Sequence, residues 1–227
     1  MSSARHHSPH AIHHTTPLTP TPAPLSSRAT SRRNLLRGGL ALGVAGAATA
    51  MATGPAAARS GGLISTADYP DAEWIPANGS NFTPADRPSE FPIEFVVIHV
   101  TQGSFAGTVQ HFQNPEAKVS AHYVVRSNDG HIAQMVHDKD VAWHAGNWDY
   151  NTRSIGIEHE GFVDDPAWFT DAMYAASAAL TASLCDTWGI PRDRTRVIGH
   201  NEVPGADHTD PGQHWDWDRY MTLLSAA

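Results

Sequence analysis

The chain has a single cysteine, Cys185, which excludes an internal disulfide and any zinc site built on cysteine alone. Basic residues are also few: 15 Lys and Arg stand against 23 Asp and Glu over 227 residues, a formal net charge of -8. The deficit is uneven. Residues 1–58 hold Arg5, Arg28, Arg32, Arg33 and Arg37 with no acid, so residues 59–227 carry ten basic groups against 23 acids, a net -13. An acidic body of this kind repels phosphate backbones and anionic lipid surfaces, and nucleic acid is not expected as a partner. Histidine is what the chain has in excess: 15 residues, ten of them beyond residue 58.

Residues 1–30 consist mostly of Ser, Thr, Pro, His and Ala without hydrophobic periodicity and read as disordered. His6, His7, His10, His13 and His14 have no neighbours there to fix a coordination geometry. Ser31-Arg32-Arg33-Asn34-Leu35-Leu36-Arg37 then precedes an uncharged Gly/Ala-rich run from Gly38 to Ala58, closed by Pro55-Ala56-Ala57-Ala58. A paired-arginine start, a weakly apolar middle and a small-residue end describe a cleavable secretory signal of the twin-arginine type. The run is long enough to span a bilayer, but its Gly, Thr and Pro content makes a poor stop-transfer segment. No lasting membrane span is expected after processing, and the destination is extracytoplasmic, in the cell wall or periplasm.

Residues 59–90, rich in Gly, Pro, Ser, Asn and Asp, read as an irregular lead-in without strand or helix, and 91–227 as one domain. Pro92–Thr101 is a β-branched apolar run that predicts a buried central strand ending at His99. A short helix over Thr108–Gln113 is stopped before Pro115. Ala121–Arg126 and His131–His137 flank Ser127-Asn128-Asp129-Gly130, a hairpin signal. Ser154–Glu160 alternates as a further strand. Thr170–Trp188 predicts a helix capped by Thr170 and ended at Gly189, with Met173, Leu180, Leu184 and Trp188 on one face. Arg196–His200 is a last strand and Trp215–Ser225 a closing helix, with His214, Trp215 and Trp217 anchoring it. Cys185 reads as an inert core thiol. The expected architecture is α/β: a single domain with a central mixed sheet flanked by helices.

Polar clusters fall at the strand ends. His99 closes one apolar strand and His200 another, and the loop from Asn201 to Gln213 carries His208 and Asp210. Two strand-end histidines and an acid on the following loop are a three-ligand zinc set with an open fourth position, although His208 is itself a good zinc ligand. Val96-Val97-Ile98-His99, Ser120-Ala121-His122-Tyr123, Asp129-Gly130, Ala142-Trp143-His144-Ala145-Gly146, Ser154-Ile155-Gly156-Ile157-Glu158, Gly199-His200 and Thr209-Asp210-Pro211-Gly212 follow in order. Together they resemble the zinc-dependent N-acetylmuramoyl-L-alanine amidases related to phage lysozyme-type amidases and peptidoglycan recognition proteins. The match spans roughly residues 92–220.

The resemblance implies one zinc ion per chain at His99, His200 and Asp210, a general base at Glu158, and a cationic helper at His208, where the family commonly has lysine. It implies cleavage of the amide between N-acetylmuramic acid and L-alanine in peptidoglycan, by a chain expected to act as a monomer. Glu160, two residues past Glu158, is a rival base, and the Gly-Ile-Glu match favours Glu158; His159 should point to the opposite face. His122, Trp143 and His144 are candidates for the substrate groove, with packing or support of the metal histidines as the alternative. Trp148 is a further candidate for stacking on sugar rings. A non-catalytic peptidoglycan-binding protein on the same fold would be expected to lack part of the metal set, and a cell-wall zinc peptidase would not be expected to show this motif order.

Overall fold

The computed structural model describes residues 66–227, so the signal reading of 1–58 lies outside the described residues. The strands are β1 (Ala72–Trp74), β2 (Phe82–Thr83), β3 (Phe95–Val100), β4 (Tyr123–Val125), β5 (Ile132–Gln134), β6 (Val141–Ala142), β7 (Ser154–His159) and β8 (Val197–Gly199). The helices are α1 (Phe105–Gln113), α2 (Trp148–Arg153), α3 (Asp171–Trp188) and α4 (Trp217–Ala226). Six strands form a mixed sheet in the order β1-β5-β4-β7-β3-β8, in which only β4 and β5 are antiparallel, as the hairpin signal requires. β2 and β6 make a separate antiparallel pair.

Period-two alternation decides which side of the sheet each residue serves. Val96, Ile98 and Val100 of β3 and Ile155 and Ile157 of β7 pack with Met173, Leu180, Tyr220 and Leu224 of α3 and α4. Phe95 and Val97 turn to the other side, towards Ala145, Ile198 and Val203. β3 is buried along its whole length, which is why it reads as an unbroken apolar run. Helix α3 starts as expected, with the Thr170 hydroxyl accepting from the Met173 N–H, and ends at Gly189 in the left-handed conformation. Burial pushes the Cys185 thiol up to about 11, which suits an inert core residue. Trp215 is buried against Tyr174 and Tyr220, and α4 begins two residues later, capped by Asp216; His214 is exposed and anchors nothing.

The lead-in corrects an expectation. It holds two strands, β1 added in parallel to β5 at the sheet edge and β2 paired with β6. Three and two residues are too short for alternation to register, and their partners lie some sixty residues away. Helix α2 was likewise silent in the sequence, because six residues complete too few turns to show a face. Among the described residues no helix is long and apolar enough to cross a membrane.

The lead-in also delivers Arg87, which is 3 % exposed. Its guanidinium donates to the carbonyls of Asp138, Thr152 and Ser154 at 2.6–3.1 Å, tying the loop before β6 to the start of β7. Arg87→Ala strips the donor from several buried carbonyls at once. It is expected to lower stability by about 3–5 kcal/mol, read as a reduced urea midpoint at unchanged slope.

Candidate metal centre and active-site cleft

Adjacent parallel strands end on the same edge of a sheet, where open α/β sheets leave a crevice. β7, β3 and β8 are such a trio. His99 stands in register with Glu158, and Ile98 with Gly199, so His200 leaves β8 beside His99. Along β7, Ser154, Gly156 and Glu158 share the face opposite Ile155 and Ile157. The loop after His200 folds back on the strand end, with the Asn201 N–H donating to the Asp210 carbonyl at 2.9 Å. That closure needs Gly199: a Cβ there would sit 2.7 Å from Pro211 Cδ.

The result is a compact ligand set. His99 Nδ1 lies 3.2 Å from Asp210 Oδ2, and His200 Nδ1 lies 3.1 Å from Asp210 Oδ1. The two imidazole centroids are 4.5 Å apart, and potential ligand atoms of all three buried residues fall within 4.8 Å of one another. Burial alone raises the Asp210 carboxyl, and its contacts with His200 and His99 more than reverse this, holding it far below the usual carboxylate range. Burial lowers His99 against the pull of Asp210. Two buried imidazoles facing one carboxylate form a candidate site for a divalent cation, and N,N,O donation with an open side suits zinc.

Glu158 borders the same space. Its Oε2 is buried without a hydrogen-bond partner, and burial, then the Asp210 charge, push its carboxyl up to about 8. A bound cation acts in the opposite sense and favours the carboxylate. Glu160 does not compete, since its Oε1 accepts from the Phe105 N–H (2.8 Å) and its Oε2 from the Ser127 N–H (2.9 Å). His159 points away, with Nδ1 2.8 Å from the His99 carbonyl and Nε2 2.7 Å from Ser177 Oγ. His208 is exposed above the site. It stacks on His200 at 4.5 Å, with Nδ1 3.7 Å from Asp210 Oδ1, and is not part of the three-residue cluster.

An open cleft of about 1260 Å³ surrounds these groups, with Lys118, Trp143, His144, Trp148 and His208 on its walls. Trp143 is pinned by its Nε1–H donating to Thr83 Oγ1 (3.0 Å), while Trp148 is 54 % exposed. His122 corrects an expectation, for it is wholly buried beneath the cleft. The Gly156 N–H donates to its Nδ1, and its Nε2 faces Arg87 Nη2 and the Asp140 carbonyl. Arg87 covers it from the lead-in, a contact between residues 35 apart that no motif signals. His144 reaches the cleft wall, but both ring nitrogens point inward, to His99 Nε2 and Ser154 Oγ. Sequence reasoning also missed Lys118 and Gln102, which line the cleft with φ of 55° and 52°. Only the backbone reveals such non-glycine residues in the left-handed region.

A family profile described as N-acetylmuramoyl-L-alanine amidase matches residues 89–213. N-acetylmuramoyl-L-alanine amidase A of Achromobacter lyticus is 39% identical over 177 residues, covering 70% of this chain and 97% of the relative. The 1,6-anhydro-N-acetylmuramyl-L-alanine amidase AmpD of Escherichia coli is 38% identical over 133 residues, 53% of this chain and 70% of its own. Among solved structures, a selenomethionine derivative of AmpD superposes with a TM-score of 0.57 at 28% identity, covering 69% of this chain and 96% of that one.

Proposed function

The chain belongs to the N-acetylmuramoyl-L-alanine amidase family, and from that membership and its site we propose a secreted zinc hydrolase that cuts the amide between N-acetylmuramic acid and L-alanine in peptidoglycan. The observation that carries the zinc reading is the buried cluster of His99 Nδ1, His200 Nδ1 and the Asp210 carboxylate beside the unpartnered Glu158 Oε2. These residues would hold the ion. When bound, zinc would polarise the scissile carbonyl and make water a usable nucleophile near neutral pH.

The remaining work falls to the chain. Glu158, fixed on β7 in register with His99, takes the proton of the attacking water and returns it to the leaving L-alanine nitrogen. His208, exposed on the cleft rim and stacked on His200, donates a hydrogen bond to the oxyanion as the carbonyl becomes tetrahedral. A histidine carries a full charge in this role only when protonated. Trp143 and Trp148 offer apolar surface to the glycan or stem peptide along the cleft. The complete ligand set with its carboxylate speaks against a binding protein that does no chemistry. The family membership speaks against a wall peptidase.

Hydrolysis of a muramoyl-L-alanyl peptide should stop after treatment with dipicolinate and return on adding one equivalent of zinc. Activity that persists with no metal detectable would overturn the zinc reading. Export is read from Arg32-Arg33 ahead of the uncharged run. Changing both to lysine keeps the charge, and the protein is expected to stay inside the cell; undiminished secretion of the double variant would remove the twin-arginine route. The chain is taken to act as a monomer, since the cluster and cleft are built from one copy.

A further inference from the structure

The direction of a buried hydrogen-bond chain can be read from an end whose role is fixed. The Tyr150 carbonyl can only accept, so the Ser154 hydroxyl donates to it at 2.5 Å. With its proton committed there, Ser154 Oγ accepts from His144 Nε2–H at 3.1 Å. No carboxylate is among the polar contacts found for His144, so its enclosed ring has no counter-charge for a second proton and Nδ1 carries the lone pair. His99 Nε2–H therefore donates to His144 Nδ1 at 3.0 Å. A neutral His99 then has its own lone pair on Nδ1, the nitrogen that faces Asp210 Oδ2. A cation bound between these two facing lone pairs, 3.2 Å apart, would satisfy both.

We propose that His144 and Ser154 are positioning residues that fix His99 in its Nε2–H tautomer and thereby present Nδ1 to the metal ion. The scaffold is built for this. The His144 ring lies directly on β7, where a Cβ at Gly156 would stand 2.5 Å from His144 Cγ. The backbone N–H groups of His144 and Ala145 both donate to Asn151 Oδ1, at 3.1 and 2.8 Å, which holds the loop carrying the ring. A groove residue would leave a polar atom for substrate, and His144 leaves none. Partners of this kind around a metal ligand set its orientation and basicity.

The inference rests on the zinc reading above, and the test separates the two. Zinc affinity is measured on the full chain by competition with a chromogenic chelator, without reference to activity. His144→Ala and Ser154→Ala are each expected to weaken zinc binding by roughly 10–100-fold. His144→Asn places an amide oxygen near the site of Nδ1 and should recover most of the loss seen in His144→Ala. Nitrogen-15 spectra of the zinc-loaded parent should show the His99 proton on Nε2. If the parent binds no zinc, the metal reading and this inference fall together. If the parent binds zinc and a folded His144→Ala binds it within twofold as well, or His99 carries its proton on Nδ1, the positioning role alone is wrong. Should His144→Ala not fold, Ser154→Ala decides by the same twofold criterion.

Discussion

Glu158→Gln is expected to lower single-turnover hydrolysis of a muramoyl peptide by about 10²–10⁴-fold, the usual contribution of a general base. That range corresponds to roughly 3–5 kcal/mol of transition-state stabilisation. The amide is nearly isosteric with the carboxylate, so zinc content and substrate binding should change little. Stability supplies a second readout in the metal-free protein. Burial raises the Glu158 carboxyl from 4.5 to about 8. Between those values the unfolded chain ionises while the folded chain keeps its proton, so stability falls as pH rises across the window and levels off above it. Glu158→Gln removes this liability. The metal-free variant should therefore gain on the parent in urea midpoint from pH 5 to pH 8. Glu160→Gln should behave in the opposite way, costing stability through its lost acceptor for the Phe105 and Ser127 N–H groups while leaving the chemical step nearly intact. A dead Glu160→Gln beside an active Glu158→Gln would move the base.

The second large effect is on the metal. His99→Ala, His200→Ala and Asp210→Ala each remove one of three clustered donors, and each should lower zinc affinity by more than the roughly 10–100-fold that supporting residues cost. His208→Ala should keep zinc within a few fold of the parent and lose rate instead, because its ring stacks outside the cluster. Metal analysis of dialysed protein, paired with single-turnover rates, tells these apart. Zinc retained in Asp210→Ala but lost from His208→Ala would exchange the two roles.

How much of this was legible depended on periodicity and range. The unbroken apolar run of β3 placed His99 at a strand end, and the Ser-Ile-Gly-Ile-Glu alternation of β7 put Glu158 on the polar face. The capping threonine and terminal glycine of α3 bounded a long helix. The choice of Asp210 over His208 rested on the family match of Thr209-Asp210-Pro211-Gly212 alone, since both lie on an irregular loop where no repeat fixes direction. It took the fold of that loop over Gly199 to bury one and expose the other. His122 and His144 looked alike as residues of two histidine-bearing motifs. Arg87 from the lead-in separates them by sealing His122 under the sheet, and Ser154 by turning the His144 ring inward. Such long-range contacts leave no local pattern.

The central claim is the identity of the bond that is cut. Purified peptidoglycan digested with the zinc-loaded chain, then resolved by mass spectrometry, should release stem peptides with a free L-alanine amino terminus and leave glycan strands whose muramic acid ends in a free lactyl carboxylate. The same digest with chelator should release neither. New reducing sugar ends, or peptides cut within the stem while L-alanine stays joined to muramic acid, would contradict it.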